Sequence, residues 1–206
     1  MIFFLGFILL WLPVRILYPT KVIGKKNLPK GKGAVLTCNH YTNMDAVLLD
    51  IYLNKKIRYL SKIELFKNKF VGFIIRGVGG FPINREKPEM SSIKFALATL
   101  KDNKYLGIFP EGTRNKEGDE SQLLELKNGA IMFASKGESV IVPMILYKRP
   151  RIFRKNYLLI GEPISVEGEN PKKLSQEEVY KNTQRLFDAL EKLRRDMDEK
   201  LKLKKN

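Results

Sequence analysis

Ala34-Val35-Leu36-Thr37-Cys38 is an apolar run that predicts a short buried strand, and a polar loop leads from it into a helix. The loop reads Asn39-His40-Tyr41-Thr42-Asn43-Met44-Asp45 and holds the single histidine of the chain. α/β proteins commonly place reactive groups in a loop that follows a strand and leads into a helix. This stretch therefore predicts both a fold class and a candidate reactive site.

His40 and Asp45 are a candidate acid–base pair. Histidine is the side chain best suited to taking a proton from an alcohol near neutral pH, and a carboxylate five positions on can orient it. Both residues also have ordinary interpretations. His40 can be a satisfied core or surface residue, and Asp45 is a favoured cap for a helix that begins at Ala46.

Composition limits the classes of protein that the chain can represent. Its 206 residues support one domain with a full core. A single cysteine, Cys38, excludes a disulfide within the chain, and with one histidine it makes a zinc site of the usual His/Cys type untenable. The net charge of +16 favours nucleic acid, anionic lipid or phosphorylated substrates as partners.

The N-terminal segment predicts membrane contact. Ile2 to Leu12 is apolar without a break, but a helix from Ile2 to Leu17 is only about 24 Å long, against a hydrocarbon core of roughly 30 Å. We therefore expect a bent, partly inserted or in-plane helix with Trp11 and Tyr18 among the headgroups. The alternative is a core helix of the globular domain. The basic residues follow the apolar run, and they are Lys21, Lys25, Lys26, Lys30 and Lys32. This asymmetry places the rest of the chain on the cytoplasmic face.

The remaining pattern alternates strands and helices, which predicts an α/β domain at residues 20–206 after a membrane-associating segment at residues 1–19. Its central mixed sheet is flanked by helices. Predicted strands are Lys21–Gly24, Ala34–Cys38, Ile57–Leu60, Phe81–Ile83, Tyr105–Phe109, Val140–Leu146 and Tyr157–Ile160. Predicted helices are Asp45–Leu53, Lys69–Arg76, Met90–Lys101, Gly129–Lys136 and a long one from Ser175, where Ser175 and Glu178 have the spacing of a capping box.

Three further motifs follow predicted strands. Phe109-Pro110-Glu111-Gly112-Thr113-Arg114 joins a carboxylate, a glycine and an arginine. Arg114 can clamp a phosphate, although a strand-ending turn with a surface ion pair is an equally good reading. Gly79 to Arg85 is by itself a turn with a surface arginine, and Val140 to Pro143 is by itself a core strand.

The ordered set of motifs is more specific than any one of them. Asn39-His40-x4-Asp45, Ile83-Asn84-Arg85, Phe109 to Arg114 and Val140 to Pro143 resemble the four motifs of the glycerolipid acyltransferases. The nearest branch looks like the bacterial 1-acyl-sn-glycerol-3-phosphate acyltransferases, and the resemblance covers about residues 20 to 165. It implies a glycerol-3-phosphate acyltransferase-like fold.

The resemblance also implies roles for individual residues. His40 is then the base that deprotonates the acceptor hydroxyl, and Asp45 orients and charges its imidazole. The second and third motifs bind the phosphate and glycerol of the acceptor, and Lys127 adds charge at a predicted helix start. These binding residues are Arg85, Glu111, Gly112, Thr113, Arg114 and Lys127. Thr42 and Asn84 stand where the family often has Ser and Asp.

From this resemblance we expect transfer of a fatty acyl group from acyl-CoA or acyl carrier protein to lysophosphatidate at an anionic membrane surface, with no metal or cofactor. The same chemistry on glycerol 3-phosphate or another lysolipid remains an alternative. So does a basic, non-catalytic module that binds anionic lipid. Nucleic acid is disfavoured as a partner because no nucleic-acid motif is recognisable.

Overall fold

Strand β2 (Ala34–Cys38) lies near the middle of a seven-stranded sheet. The structure is a computed structural model that describes residues 11–84, 89–116 and 122–202. The other strands are β1 (Thr20–Ile23), β3 (Ile57–Lys62), β4 (Gly80–Ile83), β5 (Tyr105–Ile108), β6 (Val140–Leu146) and β7 (Asn156–Ile160). Their spatial order is β1-β7-β6-β2-β5-β3-β4, and every neighbouring pair is parallel except β6 with β7. The predicted mixed sheet is confirmed.

Six helices accompany this sheet in the described part of the chain. They are α1 (residues 11–17), α2 (Asp45–Leu53), α3 (Lys69–Gly77), α4 (Met90–Lys101), α5 (Gly129–Lys136) and α6 (Gln176–Lys202). One face of β2 packs on α2, through Leu36 and Leu49 among others. The opposite face packs on α4, α5 and α6, since Val35 shares a cluster with Leu100, Ile131 and Leu186. Helices therefore flank the sheet on both sides, as expected.

Burial on both faces explains the sequence of β2. All five of its residues are buried, as in parallel sheets covered by helices on both sides, and such strands read as continuous apolar runs. Its register pairs Ala34 with Tyr105 of β5 and with Val140 of β6. The five mutually parallel strands β2, β3, β4, β5 and β6 all end at one edge of the sheet, here called the carboxyl edge. The loops that contain the sequence motifs begin there.

Helix α1 packs on α2 with one side and leaves the other exposed. Val14 is buried against Leu48 and Ile51, while Leu12 and Ile16 are exposed. Trp11 and Tyr18, which we expected among lipid headgroups, are partly buried in the same cluster. No helix among the described residues is long and apolar enough to cross a membrane. Most of the predicted apolar run, residues 1–10, lies outside the described residues.

The capping box predicted for the last helix is confirmed. The backbone N–H of Ser175 donates to Glu178 at 2.7 Å, and the backbone N–H of Glu178 donates to the Ser175 hydroxyl at 3.2 Å. This exchange satisfies two N–H groups that have no partner within the helix.

Candidate active site

His40 and Asp45 are in direct contact at the carboxyl edge. The imidazole Nδ1 lies 2.8 Å from Asp45 Oδ2. The Asp45 side chain is fully buried, whereas 18% of the His40 side chain is exposed. Asp45 begins α2 and His40 lies in the loop after β2, so the strand and the helix together set the distance between the two groups. The predicted pair is formed, with the base facing outward and the acid beneath it.

The partners of Asp45 determine which imidazole nitrogen is free to react. Its Oδ2 accepts hydrogen bonds from the backbone N–H groups of Tyr41, at 2.6 Å, and Thr42, at 2.8 Å. A carboxylate has no proton to donate and can only accept hydrogen bonds. The His40 Nδ1 must then carry the proton that it shares with Asp45. The lone pair is on Nε2, the nitrogen that a substrate hydroxyl can approach.

Asp45 does not cap α2, which was the alternative reading. The residue at the cap position is Met44, and the helix start has no side-chain cap hydrogen bond. Thr42 instead donates its hydroxyl to Asp45 Oδ1 at 2.7 Å and accepts from the backbone N–H of Met44 at 3.2 Å. The threonine hydroxyl makes both contacts, so its replacement of the more frequent serine leaves this geometry intact.

Asn39 fixes the start of the histidine loop to the sheet. Its side chain donates to the Leu146 carbonyl at 3.0 Å and accepts from the Leu146 N–H at 2.8 Å. The amide thereby continues the β2–β6 pairing beyond its last register pair, Cys38 with Met144. Asn39 is buried, so both of its hydrogen bonds are shielded from water. The sequence alone indicates no role for Asn39, because a contact across 107 residues has no local signal.

An aromatic stack supports the imidazole from one side. The rings of His40 and Phe109 are stacked with centroids 4.0 Å apart and an interplanar angle of 16°. Tyr59 is stacked beyond Phe109 at 6.0 Å, and its hydroxyl donates to Asp50 at 3.1 Å. Burial raises the pKa of Asp50 to about 8 and holds the pKa of Tyr59 well above its usual value. Phe109, Tyr59 and Asp50 thus form a stacked and hydrogen-bonded support on one side of the His40 ring.

The loop after β5 meets the histidine loop at two points. Arg114 donates from Nη1 to Asn43 Oδ1 at 2.9 Å. The backbone N–H of Asn115 donates to the His40 carbonyl at 2.8 Å. The contact between Arg114 and Asn43 was not expected from the sequence. It holds the guanidinium of the third motif next to the loop that carries the base.

Gly112 and Lys127 meet in the same region. Gly112 has φ of 67°, a left-handed conformation that favours glycine. A β-carbon placed there would lie 2.8 Å from Lys127 Cδ. The backbone N–H of Lys127 also donates to the Pro110 carbonyl at 2.8 Å. Lys127 therefore lies against the third motif, and its role in acceptor binding stays a prediction.

Glu111 is turned inward. It is buried, and its Oε2 atom has no hydrogen-bond partner among the described residues. Burial raises the pKa of this carboxyl to about 7, an effect that the backbone N–H of His40 and the charge of Arg194 partly offset. The side chain thus lies beneath the histidine loop, and its role in acceptor binding stays a prediction.

Other predicted residues are only partly located. Thr113 is exposed. Arg85 lies outside the described residues, directly beyond Asn84 at the carboxyl end of β4. Cys38, two positions before His40, is buried and the pKa of its thiol is raised well above the usual value, which makes it a poor nucleophile. Among the predicted acceptor-binding residues, the structure brings Arg114 to the histidine loop and Lys127 to Gly112.

Arg149 is a further residue near the site that the sequence did not predict. Its Nη2 donates to the carbonyls of Asn115, at 2.8 Å, and Lys116, at 2.7 Å. The guanidinium carbon also lies 5.7 Å from the ring centre of Tyr41, the residue after His40. Arg149 follows β6, so it connects a third loop of the carboxyl edge to the other two. No motif marks it in the sequence, since basic residues are frequent throughout.

Comparison with known proteins agrees with this geometry. Residues 19–147 match the family model described as Acyltransferase. The 1-acyl-sn-glycerol-3-phosphate acyltransferase of Bacillus subtilis strain 168 is 34% identical over 186 residues, which are 87% of this chain and 90% of that protein. The protein of the same name from Borreliella burgdorferi is 30% identical over 140 residues, 66% of this chain and 54% of that protein. The chain therefore belongs to the acyltransferase family.

The structural comparison points to the same family. The crystal structure of the 1-acyl-sn-glycerophosphate acyltransferase PlsC from Thermotoga maritima superposes with a TM-score of 0.60 at 26% sequence identity. The match covers 87% of this chain and 71% of that one. The matched residues include His40, Asp45 and Arg114, whereas Arg149 lies two positions beyond them.

Proposed function

We propose that the chain transfers a fatty acyl group from acyl-CoA or acyl carrier protein to the free hydroxyl of 1-acyl-sn-glycerol 3-phosphate, which gives phosphatidate for phospholipid synthesis. The observation that supports this most directly is the 2.8 Å contact between His40 and a buried Asp45, next to Arg114. The names of the relatives from B. subtilis and B. burgdorferi supply the acceptor.

The pair is arranged for general-base catalysis. His40 Nε2 takes the proton of the acceptor hydroxyl as its oxygen attacks the thioester carbonyl. The tetrahedral intermediate then collapses, the carbon–sulfur bond breaks, and the proton passes from Nε2 to the departing thiolate. Asp45 stabilises the imidazolium that exists between these two steps. Direct attack fits the buried thiol of Cys38, which is not available to carry the acyl group.

A phosphate on the acceptor fits the charges beside the pair. Arg114 is held by Asn43 in the loop of the base, and Lys127 crosses the same motif at Gly112. A guanidinium can bind a phosphate by two parallel hydrogen bonds, and an ammonium adds a second positive charge. An acceptor anchored in this way would present its hydroxyl to Nε2.

A panel of acceptors with purified protein and labelled acyl donor tests this function. Lysophosphatidate, glycerol 3-phosphate and an uncharged monoacylglycerol should be compared for wild type, Arg114→Ala and His40→Ala. We expect lysophosphatidate to be preferred, and Arg114→Ala to raise its apparent KM more than that of the uncharged acceptor. Turnover by the His40→Ala variant at the wild-type rate would rule out the proposed mechanism.

We also propose that residues 1–19 attach the protein to the cytoplasmic face of the cell membrane as a peripheral or monotopic anchor. Support comes from the side of α1 that does not pack on α2, where Leu12 and Ile16 are exposed. Co-sedimentation of the full chain with anionic vesicles tests the attachment. Replacing Leu12 and Ile16 together by Ser should weaken binding and leave the α2 contact of Val14 in place.

A further inference from the structure

The loop between β6 and β7 combines positive charge with an exposed apolar tip. Its sequence, Lys148-Arg149-Pro150-Arg151-Ile152-Phe153-Arg154-Lys155, has five basic residues in eight and no acidic one. Ile152 is 51% and Phe153 71% exposed. An exposed apolar patch that is rimmed by polar residues marks a contact with a protein or a membrane.

The backbone of this loop is held in place rather than loose. The side chain of Asn156, which is buried, accepts from the Arg151 N–H at 2.9 Å. It donates to the carbonyls of Arg151, at 3.1 Å, and Arg154, at 2.9 Å. Phe153 at the tip has φ of 55°, an uncommon conformation for a bulky residue. The fold thus orders the loop and still presents two apolar side chains to solvent.

The loop is also joined to the N-terminal helix. The backbone N–H of Phe153 donates to the carbonyl of Leu17, the last residue of α1, at 2.7 Å. The N–H of Asn156 donates to the Pro19 carbonyl at 2.8 Å. The exposed tip therefore lies next to the end of α1, the helix that exposes Leu12 and Ile16.

At its other end the loop reaches the active site. Arg149 hydrogen-bonds the carbonyls of Asn115 and Lys116 and lies over the ring of Tyr41. Those residues directly follow Arg114 and His40. A surface that bound this loop would therefore lie close to the loops that carry His40 and Arg114.

We propose that residues 148–155 form a second membrane-binding element, which inserts Ile152 and Phe153 into a bilayer while the surrounding basic residues bind anionic headgroups. Buried apolar area and attraction to anionic lipid are the two contributions that hold an interfacial segment. An acidic protein such as an acyl carrier protein would account for the charge, but not for Ile152 and Phe153 at the tip. This element goes beyond the transfer reaction and does not depend on which acceptor is used.

Vesicle binding by the full chain tests the element. The variant Ile152→Ser with Phe153→Asn removes the apolar tip, and Asn is chosen because it tolerates positive φ. With vesicles of equal parts phosphatidylcholine and phosphatidylglycerol, we expect partitioning to fall about tenfold or more. Tyr180→Gln is the matched control: it removes an exposed aromatic ring from α6, on the other face of the sheet from α2, and should bind as wild type does.

The basic residues are tested separately. Arg154→Gln with Lys155→Gln should weaken binding to the same vesicles by roughly fivefold per charge at low salt. Its control, Lys101→Gln with Lys136→Gln, removes the same charge from the C-terminal turns of α4 and α5. These helices lead into the amino ends of β5 and β6, at the opposite edge of the sheet. Equal losses in both variants would assign the effect to net charge and overturn the proposal.

A fluorescent probe locates the contact directly. The only native cysteine, Cys38, is buried, so a cysteine introduced by Phe153→Cys can be labelled alone. An environment-sensitive dye at 153 should shift to the blue on addition of anionic vesicles, and a dye at Tyr180→Cys should not. If the protein binds the vesicles but the emission of the dye at 153 does not shift, the proposal is overturned.

Two activity measurements separate this proposal from the proposed function. With a short-chain, fully soluble lysophosphatidate and acyl-CoA, the tip variant should turn over as wild type does. If the wild type is inactive in that assay with acyl-CoA and also with an acylated carrier protein as donor, the proposed function fails, and the vesicle-binding measurements still test the loop. If the tip variant binds vesicles normally but loses transfer from acyl carrier protein alone, the loop is a donor-protein surface and the membrane proposal is wrong.

Discussion

The ring of Phe109 lies flat against that of His40, with centroids 4.0 Å apart, while Asp45 holds the imidazole edge through Nδ1. The first contact fixes the plane of the ring and the second fixes its rotation. Together they direct Nε2 outward. Phe109 is also the residue at which the third motif begins, so a single side chain joins the motif that we propose to bind the acceptor to the histidine that we propose as the base.

Replacing Phe109 by Leu should therefore lower kcat more than it raises KM. Leucine keeps apolar volume but offers no flat face, so the imidazole loses its support and samples unproductive orientations. We expect kcat to fall by about tenfold, which corresponds to about 1.4 kcal/mol in the activation barrier. Steady-state kinetics on lysophosphatidate measures this. A matching rise in KM with unchanged kcat would instead place Phe109 in acceptor binding.

Asp45→Asn should reduce kcat by on the order of 10²–10⁴-fold. The amide cannot accept hydrogen bonds from the backbone N–H groups of both Tyr41 and Thr42 and also hold the Nδ1 proton of His40. The imidazolium then loses its counter-charge. Thr42→Ser, which keeps the hydroxyl that bonds Asp45, is the matched control and should stay within a few-fold of wild type. Its failure to do so would mean that the threonine methyl group matters.

Asn39→Ala should destabilise the fold. The change leaves the N–H and carbonyl of Leu146 buried without their partners, at a cost of about 1–3 kcal/mol for each unsatisfied group. Denaturant unfolding monitors the loss. Asn43→Ala is the control, because Asn43 is exposed and contacts only the Arg114 side chain among the contacts described above. Equal unfolding free energies for the two variants would contradict the anchoring role of Asn39.

Asn43→Ala should nevertheless change the kinetics. Without its contact to Asn43, Arg114 is less well ordered, so binding an acceptor phosphate costs more side-chain entropy. We expect a KM increase for lysophosphatidate of a few-fold, smaller than that caused by Arg114→Ala. Measuring KM for both variants and for the double mutant shows whether the Asn43→Ala effect acts through Arg114. Fully additive effects would indicate that Asn43 does not act through Arg114.

Asp50→Asn should flatten the pH dependence of stability. Burial raises the pKa of Asp50 from 3.8 to about 8, so the folded state binds a proton that the unfolded state releases between those values. The free energy of unfolding of the wild type therefore falls as pH rises through this window, by up to about 1.4 kcal/mol per pH unit from this group. Asparagine has no such proton and can still accept from Tyr59. In unfolding curves at pH 5, 6, 7 and 8, the free energy of unfolding of Asp50→Asn should rise with pH relative to that of the wild type. A difference between the two free energies that is the same at every pH would contradict the raised pKa.

Much of the fold follows from local pattern. Ala34–Cys38, Asp45–Leu53, Met90–Lys101, Gly129–Lys136 and Val140–Leu146 have the predicted bounds, because apolar runs and helical periodicity end there at polar or turn residues. The pairing of His40 with Asp45 was predictable because only four residues separate them in the chain. In these cases the chain neighbours themselves determine the geometry.

Contacts between distant segments were not predictable from the sequence. Asn39 with Leu146, Arg114 with Asn43, and Arg149 with Asn115 each join loops that meet only after the strands have been ordered in the sheet. The antiparallel direction of β7 likewise depends on the loop that precedes it. Helix α1 shows the same limit, since its apolar run does not reveal that Val14 packs on α2.

At the carboxyl edge, each group follows a different strand. His40, the proposed base, follows β2, Arg114 follows β5, and the basic loop follows β6. Each loop begins from a strand that the shared core fixes in place. Segments from relatives with other acceptors can therefore be exchanged one loop at a time, provided that the ring of Phe109 stays stacked on His40 and the N–H of Asn115 still donates to the His40 carbonyl. Chimaeras of this kind would show which segment selects the alcohol and which the bilayer.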